Sequence, residues 1–147
     1  LAIEVRPSRV EDIALLLGNA PGWLSGACLR EMSSSFQDRY ATTFLVDGEV
    51  AACYGASQPW PGLVEVWAVV HPERVHHCRL TFHRAAKATV ADLLADPTLH
   101  RLQAYVLRNY EVGRAWVRRL GFEAETIIEA AGPQREDLVV YRILKKG

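Results

Sequence analysis

Leu63-Val64-Glu65-Val66-Trp67-Ala68-Val69-Val70-His71-Pro72 lies near the middle of the chain and reads as a strand rich in β-branched and aromatic residues. Alternation puts Leu63, Glu65, Trp67 and Val69 on one side and Val64, Val66, Ala68 and Val70 on the other. One side is wholly apolar; the other carries a single carboxylate. This pattern predicts a strand at the centre of a sheet, buried on both faces. Pro72 ends it by removing a ladder donor. A helix follows, so the C-terminal end of the strand is where a ligand is expected in a sheet of this kind.

Bulk properties narrow the classes. A chain of 147 residues is expected to form one domain spanning residues 1–147, with a full core. Lysine plus arginine and aspartate plus glutamate stand at 17 each, so no net field argues for nucleic acid or an anionic membrane. No apolar run reaches the roughly 18 residues of a membrane span, and no signal peptide is seen. Leu1 is not an initiator Met, and the expectation is a sequence that starts internally or after processing. Cys28, Cys53 and Cys78 are odd in number and far apart, which points to reduced, buried thiols and a cytoplasmic setting.

Outward from the central stretch, Ala2–Arg6 alternates like a first strand, and Ser8 with Glu11 forms a capping box for a helix from about Arg9. Its apolar face is read as Val10, Ile13, Ala14 and Leu17. A less periodic helical stretch covers about Leu24 to Phe36, with Trp23 and Leu24 as core or groove residues. Thr42–Val46 and Glu49–Ala56 are strands around an Asp47-Gly48 hairpin turn, and 58–62 reads as a stiff loop. A helix from about Val75 to Leu94 places Phe82, Ala86, Val90 and Leu93 at helical spacing. Leu102–Leu107 is a strand. The helix Glu111–Leu120 carries Val112, Trp116 and Leu120 on one face and closes with Gly121 and Phe122. Leu138–Leu144 is a final strand preceded by a polar loop. The whole is α+β, a mixed sheet of about six to seven strands flanked by about four helices.

In this order and spacing the chain resembles the GNAT N-acetyltransferase superfamily along nearly its whole length. The residues that carry the resemblance are Ile3-Glu4-Val5-Arg6-Pro7-Ser8 with Glu11-Asp12-Ile13, then Phe44-Leu45-Val46-Asp47-Gly48-Glu49-Val50-Ala51, then Arg118-Arg119-Leu120-Gly121-Phe122. The resemblance implies a twisted sheet whose fourth and fifth strands, here Leu63–Val70 and Leu102–Leu107, splay apart to admit acetyl-coenzyme A. It implies transfer of an acyl group to a small-molecule or protein amine.

Such chemistry needs a grip on a pyrophosphate, a donor to the thioester oxygen and a proton acceptor for the amine. The resemblance assigns the second need to the backbone of Val69 and Val70. Family members typically hold the pyrophosphate with an Arg/Gln-x-x-Gly-x-Gly/Ala run, but residues 70–80 contain no glycine. Side chains there would crowd a backbone cradle, and Arg74 and Arg79 are the candidates for direct phosphate contact. Asn109 matches a residue often found before the last helix, offset by one position. The usual thiolate-protonating Tyr falls at Val117, which leaves Tyr110 as a substitute or as a ring packed over the sheet edge.

Glu65 is the first candidate for general base, through burial beside Trp67, or else a Glu hydrogen-bonded across the sheet. His71 is the second. His71, His76, His77, Cys78 and His83 cluster within thirteen residues, yet neighbours on a helix point about 100° apart and no His-x₃-His pair occurs. No metal site is expected. Two functions remain: an atypical acyl-coenzyme-A-dependent N-acyltransferase, or a non-catalytic binding or assembly protein of the same fold. The Trp116-Val117-Arg118-Arg119-Leu120-Gly121-Phe122 ending is similar to short bacteriophage-borne relatives, for which other virion proteins would be the partners and the virion the location. An oligomer is compatible with either.

Overall fold

The computed structural model describes residues 1–17, 41–132 and 134–146. The second helical stretch, Trp23 and Cys28 fall outside the described residues. The strands are β1 (Ile3–Pro7), β2 (Ala41–Val46), β3 (Glu49–Trp60), β4 (Leu63–Val70), β5 (Arg101–Leu107), β6 (Glu123–Ile128) and β7 (Leu138–Leu144). They form one mixed sheet in the order β1-β2-β3-β4-β5-β7-β6. The helices among the described residues are α1 (Val10–Leu17), α2 (Pro72–His76), α3 (Arg79–Leu94) and α4 (Glu111–Arg119). The expected α+β architecture is observed. The chain packs as two compact units, Leu1–Ser57 with Trp67–Ala85, and Gln58–Val66 with Ala86–Gly147.

In the first unit β1, β2 and β3 form an antiparallel meander. Asp47 and Gly48 take φ of 51° and 81°, the left-handed pair that a two-residue hairpin turn of matching twist requires. Phe82 on α3 meets Phe44 edge-on at 5.3 Å and Tyr54 at 6.0 Å. Ile13, Leu16, Leu45, Val50 and Cys53 make a second cluster, with Trp67 and Val69 against it.

Two readings of α1 are corrected. Ser8 Oγ is bonded with Thr43 Oγ1, and the reach back to the helix start is made by Asp12, whose Oδ2 accepts the Arg9 N–H at 2.8 Å. Asp12 thus takes the acidic role of the capping box one residue later than Glu11. Among the described side chains of α1 the buried ones are Asp12, Ile13 and Leu16, whereas Val10 and Ala14 are exposed; Leu17 lies outside the described side chains. The helix expected from Val75 also starts earlier, as Pro72–His76, and breaks at His77-Cys78 before Arg79. Pro at the first helical position needs no N–H and has its φ already set.

In the second unit β5 pairs with β7 through seven residues, antiparallel, but with β4 through three, parallel, ending at Glu65↔Gln103. That short pairing corrects the picture of β4 as buried on both faces. Leu63 and Val64 are buried, the residues after them are half-buried, and Ala68 is exposed. The loop expected at 58–62 is instead the end of β3 plus a tight turn at Pro61-Gly62. The last β2 rung is Ala41↔Gly55, so Pro59 lies beyond it and its missing N–H breaks no bond to β2. Gly62, at φ 92°, accepts the N–H groups of both His100 and Arg101.

Part of the polar loop expected before the last strand is β6, whose residues are all exposed. Its register shifts between Ala124 and Thr126, leaving Glu125 as an extra residue against β7, a bulge. On α4 the buried residues are Gly113 and Val117, while Val112 is 73% exposed, correcting the face read from Val112. The helix ends as expected. Gly121, at φ 106°, donates to Arg118 O and Phe122 N donates to Val117 O, the paired bonds of a Schellman cap.

Candidate functional site

Glu65 occupies the last paired rung of β4. Across the sheet the rung continues through Gln103 on β5 and Arg142 on β7 to Glu123 on β6, so one transverse row carries four polar side chains. Because strand residues two apart share a face, Arg101 and Tyr105 flank Gln103 on that same face.

The row is tightly connected. Gln103 Nε2 donates to Glu65 Oε1 at 2.7 Å, and the Tyr105 hydroxyl donates to the same oxygen at 3.4 Å. Arg101 Nε donates to Gln103 Oε1 at 2.7 Å, while its two terminal nitrogens hold Glu125 in a fork at 2.8 Å each. Arg142 contacts both Glu125 and Glu123 at 3.2 Å. Gln103 is 7% exposed, so its amide depends on these partners for satisfaction.

The electrostatics divide this row. The Arg101 hydrogen bond, followed by its charge, holds the exposed Glu125 carboxylate below its ordinary range. Burial first, and then the charge of Glu65 and the bond to it, push the Tyr105 phenol up, so it stays protonated as a donor. Glu65 therefore meets neutral donors from β5, whereas Glu123 and Glu125 meet cations. A half-buried carboxylate so placed can accept a proton or hold a cation.

Gln103, Tyr105, Arg101 and Glu125 were not singled out from sequence. The signal was present in the alternation Arg101-x-Gln103-x-Tyr105, three hydrogen-bonding side chains on one face of an otherwise apolar strand.

The other candidates have contacts of their own. In the first unit, His71 caps α2, its Nδ1 accepting the Arg74 N–H at 3.4 Å, and its own N–H donates to Ala51 O. Arg74 turns back to β3, donating to Val50 O at 2.7 Å and pairing with Glu49 at 3.1 Å. Val69 and Val70 are half-buried, and Arg79 is exposed at the first residue of α3. His76 and His77 are exposed, their rings 5.2 Å apart. Among the described residues no three His, Cys, Asp or Glu groups converge on a metal position.

In the second unit Asn109 is exposed and Tyr110 half-exposed at the start of α4. The Tyr110 ring lies over Gly113, where a Cβ would come within 2.5 Å of it. Val117, at the position that the resemblance gives to a Tyr, is buried.

No family model and no curated protein matches the sequence. Solved structures do. A GNAT-family acetyltransferase from Bacillus anthracis matches with a TM-score of 0.70 at 13% identity, covering 97% of this chain and 94% of that one. RimL, a ribosomal L7/L12 α-N-protein acetyltransferase in complex with coenzyme A, matches at 0.72 and 12%, covering 97% and 93%. An acetyltransferase from Salmonella typhimurium that modifies the N-terminal serine of L7/L12 matches at 0.72 and 13%, covering 98% and 95%. The fold is the GNAT fold. At these identities the likeness is one of architecture, and activity must be argued from the residues of this GNAT-fold chain.

Proposed function

We propose that this GNAT-fold protein is an acyl-coenzyme-A-dependent N-acyltransferase, with Glu65 taking the proton from the acceptor amine. One observation carries this reading: Glu65 stands where the β4–β5 pairing stops, held by Gln103 and Tyr105, while the neighbouring Arg101 is engaged by Glu125. A carboxylate among neutral donors is left without a counter-charge and can take a cationic amine as its partner. His71 is the weaker alternative, since its Nδ1 lone pair is directed at a backbone N–H.

The residues fit an acyl-coenzyme A through a grip other than a glycine cradle. The segment that would form the cradle is occupied by α2, and Arg74 is committed to Val50 and Glu49. Arg79 and the N–H groups of the first turn of α3, which contains no acidic residue, suit a phosphate. In the same unit the backbone of Val69 and Val70 suits the acyl arm; in the second unit Asn109 and Tyr110 are the candidates for contact with the leaving thiol. Bound acyl-coenzyme A supplies the thioester. The chain's own contribution is to orient the amine at Glu65 and to hold the proton it loses on Oε1 or Oε2.

A second reading has an observation of its own. The commitment of Arg74 to β3 and the helical, glycine-free segment around it favour a GNAT-fold protein that binds or assembles without turnover. Calorimetric titration with acetyl-coenzyme A and with coenzyme A separates the two. Micromolar binding supports the transferase and is followed by an amine screen with Glu65→Gln as control. No heat at millimolar ligand overturns it and leaves the binding role.

A further inference from the structure

The row that begins at Glu65, taken with the side chains bonded to it, contains two arginines, Arg101 and Arg142, and three glutamates, Glu65, Glu123 and Glu125. Its surplus negative charge is not spread evenly. Glu125 takes both terminal nitrogens of Arg101 and a further bond from Arg142, and Glu123 takes Arg142. Glu65 alone in the row has neutral donors assigned to it among the described residues.

Arg101 and Glu65 share the Gln103 side chain as a hydrogen-bond partner. The guanidinium Nε touches the Gln103 amide oxygen, and the Gln103 amide nitrogen touches Glu65, each at 2.7 Å. One amide therefore separates the cation from the carboxylate. An unrestrained Arg on the same strand face would pair with Glu65 directly, as buried or half-buried opposite charges do when geometry permits. Such a pair would make Glu65 a poorer proton acceptor and occupy it as a receptor for a cation.

We propose that Glu125 is a positioning residue for Glu65, acting through Arg101: it holds the guanidinium on β6 and thereby keeps Glu65 available to a cationic amine. The Arg101 Nε bond fixes the second half of the device. It turns the Gln103 oxygen toward Arg101 and so the NH₂ group toward Glu65. The substrate class that follows is an amine arriving protonated, with no carboxylate of its own close to the reacting nitrogen. Among the described residues, the charged or titratable groups bonded to Glu65 and to its partners in the row are Arg101 and Tyr105 on β5, Arg142 on β7, and Glu123 and Glu125 on β6.

This inference rests on reading Glu65 as the proton acceptor, and its test reads the carboxylate itself. The full chain, labelled with ¹³C at glutamate side chains, is titrated by NMR, with the Glu65 signal assigned by its loss in Glu65→Gln. Glu125→Gln lowers the Glu65 midpoint by roughly one pH unit or more as Arg101 swings to it. Adding Arg101→Met to that variant returns the midpoint to within a few tenths of the wild-type value. Because β6 is exposed throughout, the substitution disturbs no buried packing. Glu125→Ala, which removes the acceptor altogether, gives the same fall if Glu125→Gln is poorly folded. A Glu65 midpoint unmoved in these variants, or a fall that persists without Arg101, overturns the proposal. Failure to acylate any amine would count against the proposed reaction and leave this titration result standing.

Discussion

Arg6 grips Asp12 with both terminal nitrogens, Nη1 to Oδ2 at 2.7 Å and Nη2 to Oδ1 at 2.9 Å. The pair ties β1 to α1, and Thr43 on β2 adds a third bond to the same carboxylate at 2.8 Å. Asp12 is 4% exposed. Burial alone would raise its pKa, but the bonds from Arg6, the Arg9 N–H and Thr43, with the Arg6 charge, bring it down to about 2.

A depressed carboxylate stabilises the fold above its unfolded pKa and ceases to do so as pH falls through the folded value. Between pH 5 and pH 2 the unfolding free energy is expected to drop by about 2 kcal/mol on account of Asp12. Urea titrations across that range check this, and in Asp12→Asn that component of the pH slope disappears. At pH 7 the same variant is also less stable, because it leaves Arg6 without its counter-charge.

If the proposed reaction is correct, Glu65→Gln removes the proton acceptor without changing its shape. Transfer from acetyl-coenzyme A to a responsive amine should fall by about 10²-fold or more, with affinity for coenzyme A unchanged by calorimetry. An equal loss of both would assign Glu65 to ligand binding.

Phe82→Ala takes away the ring that meets both Phe44 and Tyr54 and leaves a cavity at a position 4% exposed. Destabilisation of about 3–5 kcal/mol is expected from chemical denaturation. A loss under 1 kcal/mol would mean that the surrounding rings collapse into the space.

Gly121→Ala tests the end of α4. Its added Cβ has room, with Ile143 at 3.8 Å, but the backbone sits at φ 106°. The cost is therefore conformational, about 1–2 kcal/mol, and should appear as a lower thermal midpoint.

The strands with β-branched alternation were legible in the sequence, as were the Asp47-Gly48 turn and the Gly121-Phe122 cap, because each depends on local rules. β6 was not, since Glu-Ala-Glu-Thr-Ile-Ile lies exposed on both faces and carries no buried period. The start of α2 was hidden because Pro72 ends a strand and opens a helix at once. Glu65 stood out as a lone carboxylate in an apolar run. Its partners did not, because a cross-strand row depends on register, and register is a property of two segments far apart in the chain.

The bulge at Glu125 leads to a different kind of expectation, about length in place of chemistry. Ala124 and Thr126 face successive residues of β7, so β6 holds one residue more than its ladder uses. Strands ordinarily tolerate deletion badly, since losing one residue turns every later side chain over. Here the excess residue can be removed and the two sides of the ladder still meet rung for rung. This edge has slack in it, and a shortened chain would lose the clasp on Arg101 while keeping its hydrogen-bonded frame.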